Sequence, residues 1–212
     1  MHLIDKILEC IFIPSCGMCG RLGEGYLCEK CSKELKKYMI YNDIDKEKIN
    51  KFHIFTYENI VRDLILNYKF NDKPYLYKTF CEIIVKNKKI MDFIKSYDII
   101  IPVPMHKKKI RIRGYNQSEL IAREIAKNAN IKLANDVLIK VKNNEVQSSL
   151  NKLEREENIK DVYKVINGEK LYNKNVLIFD DIYTTGATIN SCIAELEKNS
   201  IKKLGVLTLA KD

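Results

Sequence analysis

The sequence contains no tryptophan and no long apolar run. Without tryptophan, one side chain on which a nucleobase could stack is missing. No stretch reaches the roughly 18 to 20 apolar residues that cross a bilayer, so we expect no membrane span. The segment MHLIDKILECIFIP is interrupted by Asp5 and Glu9, unlike a secretory signal. Its apolar residues recur at helical spacing, which predicts an amphipathic docking helix in a cytoplasmic protein.

Two common phosphate-binding motifs are also missing. There is no G-x-x-x-x-G-K-[ST] and no G-x-G-x-x-G after a predicted strand. The sequence therefore supports neither a P-loop hydrolase nor a dinucleotide-binding fold of that kind. It has no internal repeat and no low-complexity linker, so its 212 residues predict one packed domain with a small appendage.

The charge balance is basic, with 37 Lys and Arg against 28 Asp and Glu and a formal net charge of +9. This excess suits contact with an anion such as nucleic acid, a phosphate ester or a membrane surface. The lysines are spread evenly, however, as on an ordinary solvated surface. Charge alone therefore does not define a partner.

Cysteine is concentrated near the start of the chain, in the run CGMCGRLGEGYLCEKC. Two Cys-x2-Cys pairs separated by eight residues supply the four thiolates of a structural Zn²⁺ site. The predicted ligands are Cys16, Cys19, Cys28 and Cys31. The alternative is a set of buried or redox-active cysteines. Cys10, Cys81 and Cys192 fall in helical patterns and are predicted to be core residues.

Short apolar strands alternate with amphipathic helices through the rest of the chain. Strands are predicted at 52–57, 97–104, 137–141, 162–166, 176–181 and 205–210, and helices at 58–70, 75–86, 116–129 and 187–199. This alternation predicts an α/β fold with a doubly wound, mainly parallel sheet. We place the boundary near residue 45, with the docking helix and zinc knuckle in 1–45 and the α/β domain in 46–212.

The stretch VLIFDDIYTTGAT, residues 176–188, joins a predicted strand to a helix. The first N–H groups of a helix are unpaired and favour an anion, and Gly186 lets the backbone approach it. Asp180 and Asp181 stand where the strand ends and can accept hydrogen bonds from vicinal sugar hydroxyls. A ribose 5-phosphate site is the functional interpretation. The alternative is an ordinary helix cap, for which Asp and Thr are well suited.

The complete string resembles the motif by which type I phosphoribosyltransferases bind phosphoribosyl pyrophosphate. Together with the four cysteines it resembles the ComF family of competence-associated, phosphoribosyltransferase-like proteins. Other family features are Lys69-Phe70 at a helix end and Pro-Val-Pro followed by Arg-Gly-aromatic-Asn-Gln. A further resembling segment contains Gln147, Leu150, Arg155 and Asn158.

The resemblance implies a type I phosphoribosyltransferase-like core in which Mg²⁺ accompanies the pyrophosphate. Asp180 and Asp181 would contact the ribose hydroxyls. The other implied ligand-binding residues are Thr184, Thr185, Gly186, Ala187, Thr188, Pro102, Val103, Pro104, Arg111, Asn116 and Gln117. If the protein is an enzyme, Asp180, Asp181 and Arg113 are the catalytic candidates, because guanidinium groups stabilise a departing pyrophosphate.

Three functions fit these motifs. The first is a ComF-type protein that binds phosphoribosyl pyrophosphate and acts in uptake of single-stranded DNA, with a helicase-like translocase as its implied partner. The second is a nucleobase-salvage phosphoribosyltransferase. The third is a single-stranded-DNA-binding zinc protein whose sugar pocket is vestigial. Oxopurine salvage enzymes carry an Asp where this chain has Thr184, so the sequence favours binding over catalysis.

Overall fold

The computed structural model of the protein describes residues 13–23, 25–40, 44–45, 49–71, 73–142 and 162–212. The predicted N-terminal helix with Cys10, and Gln147, Leu150, Arg155 and Asn158, lie outside these residues. The helices are α1 (Glu29–Lys36), α2 (Asn59–Phe70), α3 (Leu76–Lys86), α4 (Lys88–Lys95), α5 (Lys107–Arg113), α6 (Gln117–Ala129) and α7 (Ala187–Leu196). The strands are β1 (Ile44–Asp45), β2 (Asn50–Thr56), β3 (Ile99–Pro102), β4 (Lys132–Leu133), β5 (Leu138–Lys140), β6 (Tyr163–Val165), β7 (Asn175–Tyr183) and β8 (Lys203–Lys211).

The main sheet has the order β1-β2-β8-β7-β3-β4. All its strand pairs are parallel except β1–β2, which is antiparallel at one edge. Strands β7 and β3 are adjacent although helices α5 and α6 separate them in sequence, so their carboxyl ends meet at one edge of the sheet. This edge is where doubly wound sheets bind ligands, at the point where the strand order reverses.

Helices and a hairpin cover the two faces of this sheet. Successive strand residues point to opposite faces, so Leu177 and Phe179 join one core while Val176 and Ile178 join the other. The first core contains the buried residues of α2, α3, α4 and α6. The second contains those of α7 and of the β5–β6 hairpin. The α/β fold with a mainly parallel sheet is confirmed.

The cysteine-rich segment docks on α3 and belongs to the first core. Thr79 donates a hydrogen bond to the Tyr26 carbonyl at 2.9 Å, and the Tyr26 N–H donates to Glu82 at 2.9 Å. A side chain at Gly17 would overlap Thr79, which explains why glycine stands at this contact. The cysteine-rich segment therefore packs directly against the α/β domain. The domain boundary near residue 45 stays a prediction.

Three details differ from the predicted elements. The basic run KKKIRIR at 107–113, where no helix was predicted, forms the short helix α5 and buries none of its residues. The predicted strands at 137–141 and 162–166 correspond to β5 and β6, but these pair with each other as an antiparallel hairpin outside the main sheet. Helices α1 and α4 were not predicted.

Among the described residues, no helix is both long enough and apolar enough to span a bilayer.

Candidate functional site

The candidate site lies at the carboxyl end of β7, where Asp180 and Asp181 are 7% and 3% exposed. The turn Thr184–Thr188 follows and begins α7. Its threonines are exposed. The first turn of α7 contains no acidic residue that would compete with a bound anion for the N–H groups of the helix. Gly186 has a φ of 76°, and a side chain there would overlap the Tyr183 hydroxyl. The sequence therefore places an open helix start directly after two buried carboxylates.

Asp180 is held by two donors. Its Oδ1 accepts a hydrogen bond from the Ser118 hydroxyl at 3.0 Å and from the Asp181 N–H at 2.9 Å. Burial, followed by the negative charge of Asp181, raises the pKa of Asp180 to about 7, although Lys69 and the two donors oppose the rise. Asp180 therefore gains or loses its proton near neutral pH.

Asp181 pairs with a lysine from another element. Lys69, in the last turn of α2, places its Nζ 2.9 Å from Asp181 Oδ1, and both side chains are largely buried. The other oxygen, Oδ2, is buried and has no hydrogen-bond partner. Such an oxygen is costly to leave unpaired, and it is available to a ligand that donates a hydrogen bond.

The Pro102-Val103-Pro104 segment lies beside this pair. Pro102 is opposite Phe179 in the β3–β7 ladder, and the Val103 N–H donates to the Phe179 carbonyl at 2.9 Å. Asn116 fixes the segment from α6, donating to the Val103 carbonyl at 3.1 Å. The Asn116 side chain also caps α6 by accepting from the Ser118 N–H.

The predicted arginines occupy different positions. Arg113 donates to the Gln117 side chain at 2.5 Å and lies 5.2 Å from the ring centre of Phe70. Gln117 accepts a second bond at its carbonyl from Tyr68, which connects it to α2. Arg111 is exposed on α5 and forms no hydrogen bond or ion pair with another described residue. The structure therefore joins Arg113 and Gln117 to the end of α2, one residue from Lys69, but does not join Arg111 to the site.

The four knuckle cysteines converge on one point. Their sulfur atoms all lie within 4.8 Å of one another, and the Cys19 and Cys28 sulfurs are 3.6 Å apart. Tetrahedral Zn–S bonds of about 2.3 Å require sulfurs separated by about 3.8 Å. Burial raises the pKa of the Cys16 thiol, but N–H groups of the knuckle outweigh it and lower the pKa to about 6. The cluster can hold a metal ion, and its geometry suits zinc.

The remaining cysteines have different surroundings. Cys81 and Cys192 are buried in the two cores, as predicted. Among the residues described, all six cysteines are free of disulfides. The metal-binding interpretation of the Cys-x2-Cys pairs therefore agrees with the packing.

Sequence reasoning missed two residues that contact the aspartates. Lys69 appeared only as part of a family resemblance, and Ser118 was not singled out. The Lys69-Phe70 pair at a predicted helix end was the available signal for the first. Nothing in the pattern around Ser118 distinguishes it from the other polar residues at the start of α6.

The mainly parallel sheet and the N-terminal four-cysteine cluster agree with the type I phosphoribosyltransferase-like fold expected from the sequence. The ComF resemblance predicted from the motifs is confirmed by three curated relatives. The chain is 27% identical to competence protein F of Haemophilus influenzae over 202 residues, which cover 93% of this chain and 85% of that protein. It is 26% identical to competence protein ComFC of Streptococcus pneumoniae, with 98% and 85% covered, and 25% identical to ComFC of Bacillus subtilis, with 88% and 78% covered.

Solved structures show a weaker likeness. A glutamine phosphoribosylpyrophosphate amidotransferase from B. subtilis has a TM-score of 0.45 and 14% identity, covering 68% of this chain and 30% of that one. A purine phosphoribosyltransferase from Pyrococcus horikoshii has a TM-score of 0.42 and 15% identity, covering 76% and 88%. No protein-family model matches the chain. The fold therefore rests on the strand order and the site geometry.

Proposed function

We propose that the protein binds phosphoribosyl pyrophosphate, or a closely related phosphorylated ribose, at the carboxyl end of β7. One observation carries the proposal: two buried carboxylates are followed at once by an exposed hydroxylated turn at the start of a ten-residue helix. The turn offers N–H and hydroxyl donors to a 5-phosphate. The carboxylates accept hydrogen bonds from the ribose hydroxyls of the same ligand.

The unpaired oxygen of Asp181 supports this assignment. A buried carboxylate oxygen without a donor costs free energy, and a sugar hydroxyl supplies the missing hydrogen bond. The Pro102–Pro104 segment lies beside Phe179 in the neighbouring strand, so the pyrophosphate of the same ligand would lie against it. Thr184, Thr185, Ala187 and Thr188 would contact the 5-phosphate, with Gly186 leaving room for it.

Mg²⁺ would accompany the pyrophosphate. The oxygens of Asp180 and Asp181 suit a hard cation, but Oδ1 of each already has a donor, Ser118 and Lys69 respectively. The ion would therefore be held chiefly by ligand oxygens and water. When bound, it would neutralise the pyrophosphate charge.

The names of the relatives favour a role in competence. We propose that the protein acts in uptake of single-stranded DNA, in the reducing cytoplasm, with structural Zn²⁺ in the four-cysteine knuckle. A helicase-like translocase is the proposed protein partner, and the knuckle offers it a surface. Phosphoribosyl transfer to an acceptor is a separate question, because Thr184 cannot act as a base at neutral pH as an Asp would.

Calorimetry with phosphoribosyl pyrophosphate and Mg²⁺ tests the binding proposal. Wild type should bind, and the double variant Asp180→Asn/Asp181→Asn should not. Asp92→Asn is the matched control, since Asp92 is an exposed carboxylate paired with Lys88 on α4. Absence of binding by wild type, or equal binding by the double variant, would refute the proposal. Pyrophosphate release across a panel of nucleobases then tests transfer; release with one base would establish a salvage enzyme.

A second function, binding of single-stranded DNA, is favoured by the surface of α5. All seven residues of this helix lie outside the core, five of them are basic, and Ile112 is 87% exposed. Phe70, which is 66% exposed beneath Arg113, offers a ring on which a base can stack. Affinity for an oligonucleotide should fall steeply with salt and after removal of charge at 107–113. A flat salt response would contradict this function.

A further inference from the structure

Lys69 brings a positive charge into the candidate site, next to the acidic pair of Asp180 and Asp181. Its Nζ lies 2.9 Å from Asp181 Oδ1, and only 16% of the lysine side chain and 4% of the aspartate side chain are exposed. Within the described part of the chain, it is the one basic side chain that forms an ion pair with either carboxylate. The acidic pair and this ammonium therefore form one buried group of charges.

The end of α2 is held so that the ammonium stays in this place. The preceding residue, Tyr68, is fully buried, and its hydroxyl donates a hydrogen bond to the Gln117 carbonyl at 2.8 Å. The Tyr68 carbonyl accepts a hydrogen bond from the Tyr115 hydroxyl. These two bonds tie the end of α2 to the start of α6. The position of Lys69 is therefore fixed by its backbone as well as by its ion pair.

The charge balance at the acidic pair leaves little demand for a metal ion. The charges of Asp181 and Lys69 cancel. Burial, followed by the charge of Asp181, raises the pKa of Asp180 to about 7, so this carboxyl is partly protonated at neutral pH. The net charge of the three groups is therefore only the partial negative charge of Asp180.

The hydrogen bonds of the acidic pair do not suit direct coordination of Mg²⁺. Asp180 Oδ1 already accepts from the Ser118 hydroxyl and from the Asp181 N–H. Asp181 Oδ1 contacts the Lys69 ammonium, which would repel a divalent cation bound to the same carboxylate. Mg²⁺ also demands near-octahedral oxygen ligands and gives up its water reluctantly. A lysine therefore lies where two buried carboxylates would otherwise attract a metal ion.

The ammonium also determines the direction of the second oxygen of Asp181. A carboxylate is planar, so an Oδ1 held by Lys69 fixes the position of Oδ2. Among the described residues, Oδ2 has no hydrogen-bond partner, although it is buried. A hydroxyl of a bound sugar can donate to it with no metal ion between them. Lys69 thus acts on the ligand through Asp181, which makes it a positioning residue.

We propose that Lys69 takes the place of a divalent cation at the acidic pair and positions Asp181 to bind a sugar hydroxyl, so that ribose 5-phosphate binds this site without Mg²⁺. The identity of the ligand rests on the proposed function. Mg²⁺ is then needed only for a pyrophosphate group, whose charge it neutralises. The role of Lys69 is one of binding and involves no covalent step.

Calorimetry of the full chain with ribose 5-phosphate, once in Mg²⁺ and once in EDTA, tests this role. Wild type should bind with equal affinity in both buffers. Lys69→Met, which removes the charge, should bind at least about tenfold more weakly in EDTA, the usual loss for a charge-assisted contact. Mg²⁺ should restore part of this loss, because Asp181 can then bind the ion. Lys69→Arg, which keeps the charge, should bind more tightly in EDTA than Lys69→Met does.

Mn²⁺ alone, followed by paramagnetic resonance, provides a measurement that needs no sugar. Mn²⁺ takes the same oxygen ligands as Mg²⁺. Lys69→Met should gain one Mn²⁺ site that wild type lacks, and Lys69→Met/Asp181→Asn should lose it again. The matched control is Lys95→Met. Lys95 is exposed in the last turn of α4, which leads into the opposite end of β3 from the site, so its replacement should change neither measurement.

The outcomes separate this inference from the proposed function. Wild type that binds ribose 5-phosphate only with Mg²⁺ would overturn the inference and leave the function intact, and this result requires no folded variant. Equal affinities of wild type and a folded Lys69→Met in EDTA would also refute the inference. If no sugar phosphate binds in either buffer but Lys69→Met gains the Mn²⁺ site, the proposed function fails and the cation role of Lys69 stands.

Discussion

The Nζ of Lys69 lies 2.9 Å from Oδ1 of Asp181, which joins residues 112 positions apart in the chain. Helix α2 ends at Phe70, so its last turn presents the ammonium to the end of the central strand. Both side chains are largely buried, so replacing either residue alone leaves the charge of the other without a partner. This single contact ties a peripheral helix to the two carboxylates of the candidate site.

Replacing Lys69 by Met should lower the free energy of unfolding by about 3 kcal/mol or more, because Asp181 would remain buried without its partner. The double variant Lys69→Met/Asp181→Asn should recover part of this loss. Urea denaturation measures both. Lys86→Met, which breaks an exposed pair with Glu82 on α3, is the control and should cost far less. Equal losses at the two lysines would contradict a buried, structural ion pair.

The raised pKa of Asp180 predicts a specific pH dependence. Between the ordinary carboxyl pKa and about 7, the folded protein retains a proton that the unfolded chain has lost. Stability without ligand should therefore fall as pH rises through this window, by on the order of 4 kcal/mol from this group alone. Asp180→Asn removes the group, so the difference in unfolding free energy between variant and wild type should grow from pH 5 to 8. A constant difference would show that Asp180 titrates normally.

Gly186→Ala should damage the turn for two reasons, a positive φ and an overlap with the Tyr183 hydroxyl. Gly114 provides the matched control, because its φ is 84° but a side chain there would meet nothing within 4 Å. Gly114→Ala should cost about 1 kcal/mol from the backbone alone, and Gly186→Ala clearly more. Ribose 5-phosphate affinity should fall only in Gly186→Ala. Thermal unfolding and calorimetry check both parts, and similar costs at the two glycines would exclude the steric contribution.

Metal analysis of freshly purified protein should find about one Zn²⁺ per chain, as a four-thiolate site requires. Chelation should lower the midpoint of thermal unfolding by more than about 10 °C, since such a site is worth several kcal/mol and each shifts a chain of this size by about 2–4 °C. Cys19→Ser should reproduce the effect. Cys192→Ala, in the second core, should lose stability but keep the metal; loss of metal there would argue against the assigned ligands.

Much of this architecture could be predicted because its signals are local. The apolar run that contains Leu177 and Phe179 predicted a buried strand, and the spacing of the four cysteines predicted that their sulfur atoms converge on one metal site. In each case the information lies within a few turns or one strand of the chain.

The remaining parts depend on contacts between distant elements. Lys69 and Ser118 acquire their roles only because α2 and α6 end or begin at the carboxyl edge of the sheet. Strands β5 and β6 resembled ordinary members of the main sheet, so their pairing as a separate antiparallel hairpin could not be inferred. The roles of Thr184 and Arg111 stay predictions, because within the described part of the chain neither forms a hydrogen bond or ion pair that fixes its position.

The docking of Gly17 and Tyr26 on α3 has a consequence for the evolution of the two sites. The knuckle, α3 and α6 belong to one core, and α6 carries the residues that hold Asp180 and the Pro-Val-Pro segment. Loss of the four cysteines in a homologue would therefore also destabilise the helices that position the candidate sugar site. Among relatives of this chain, the four cysteines and the two aspartates should therefore be kept together or lost together, although they bind different ligands.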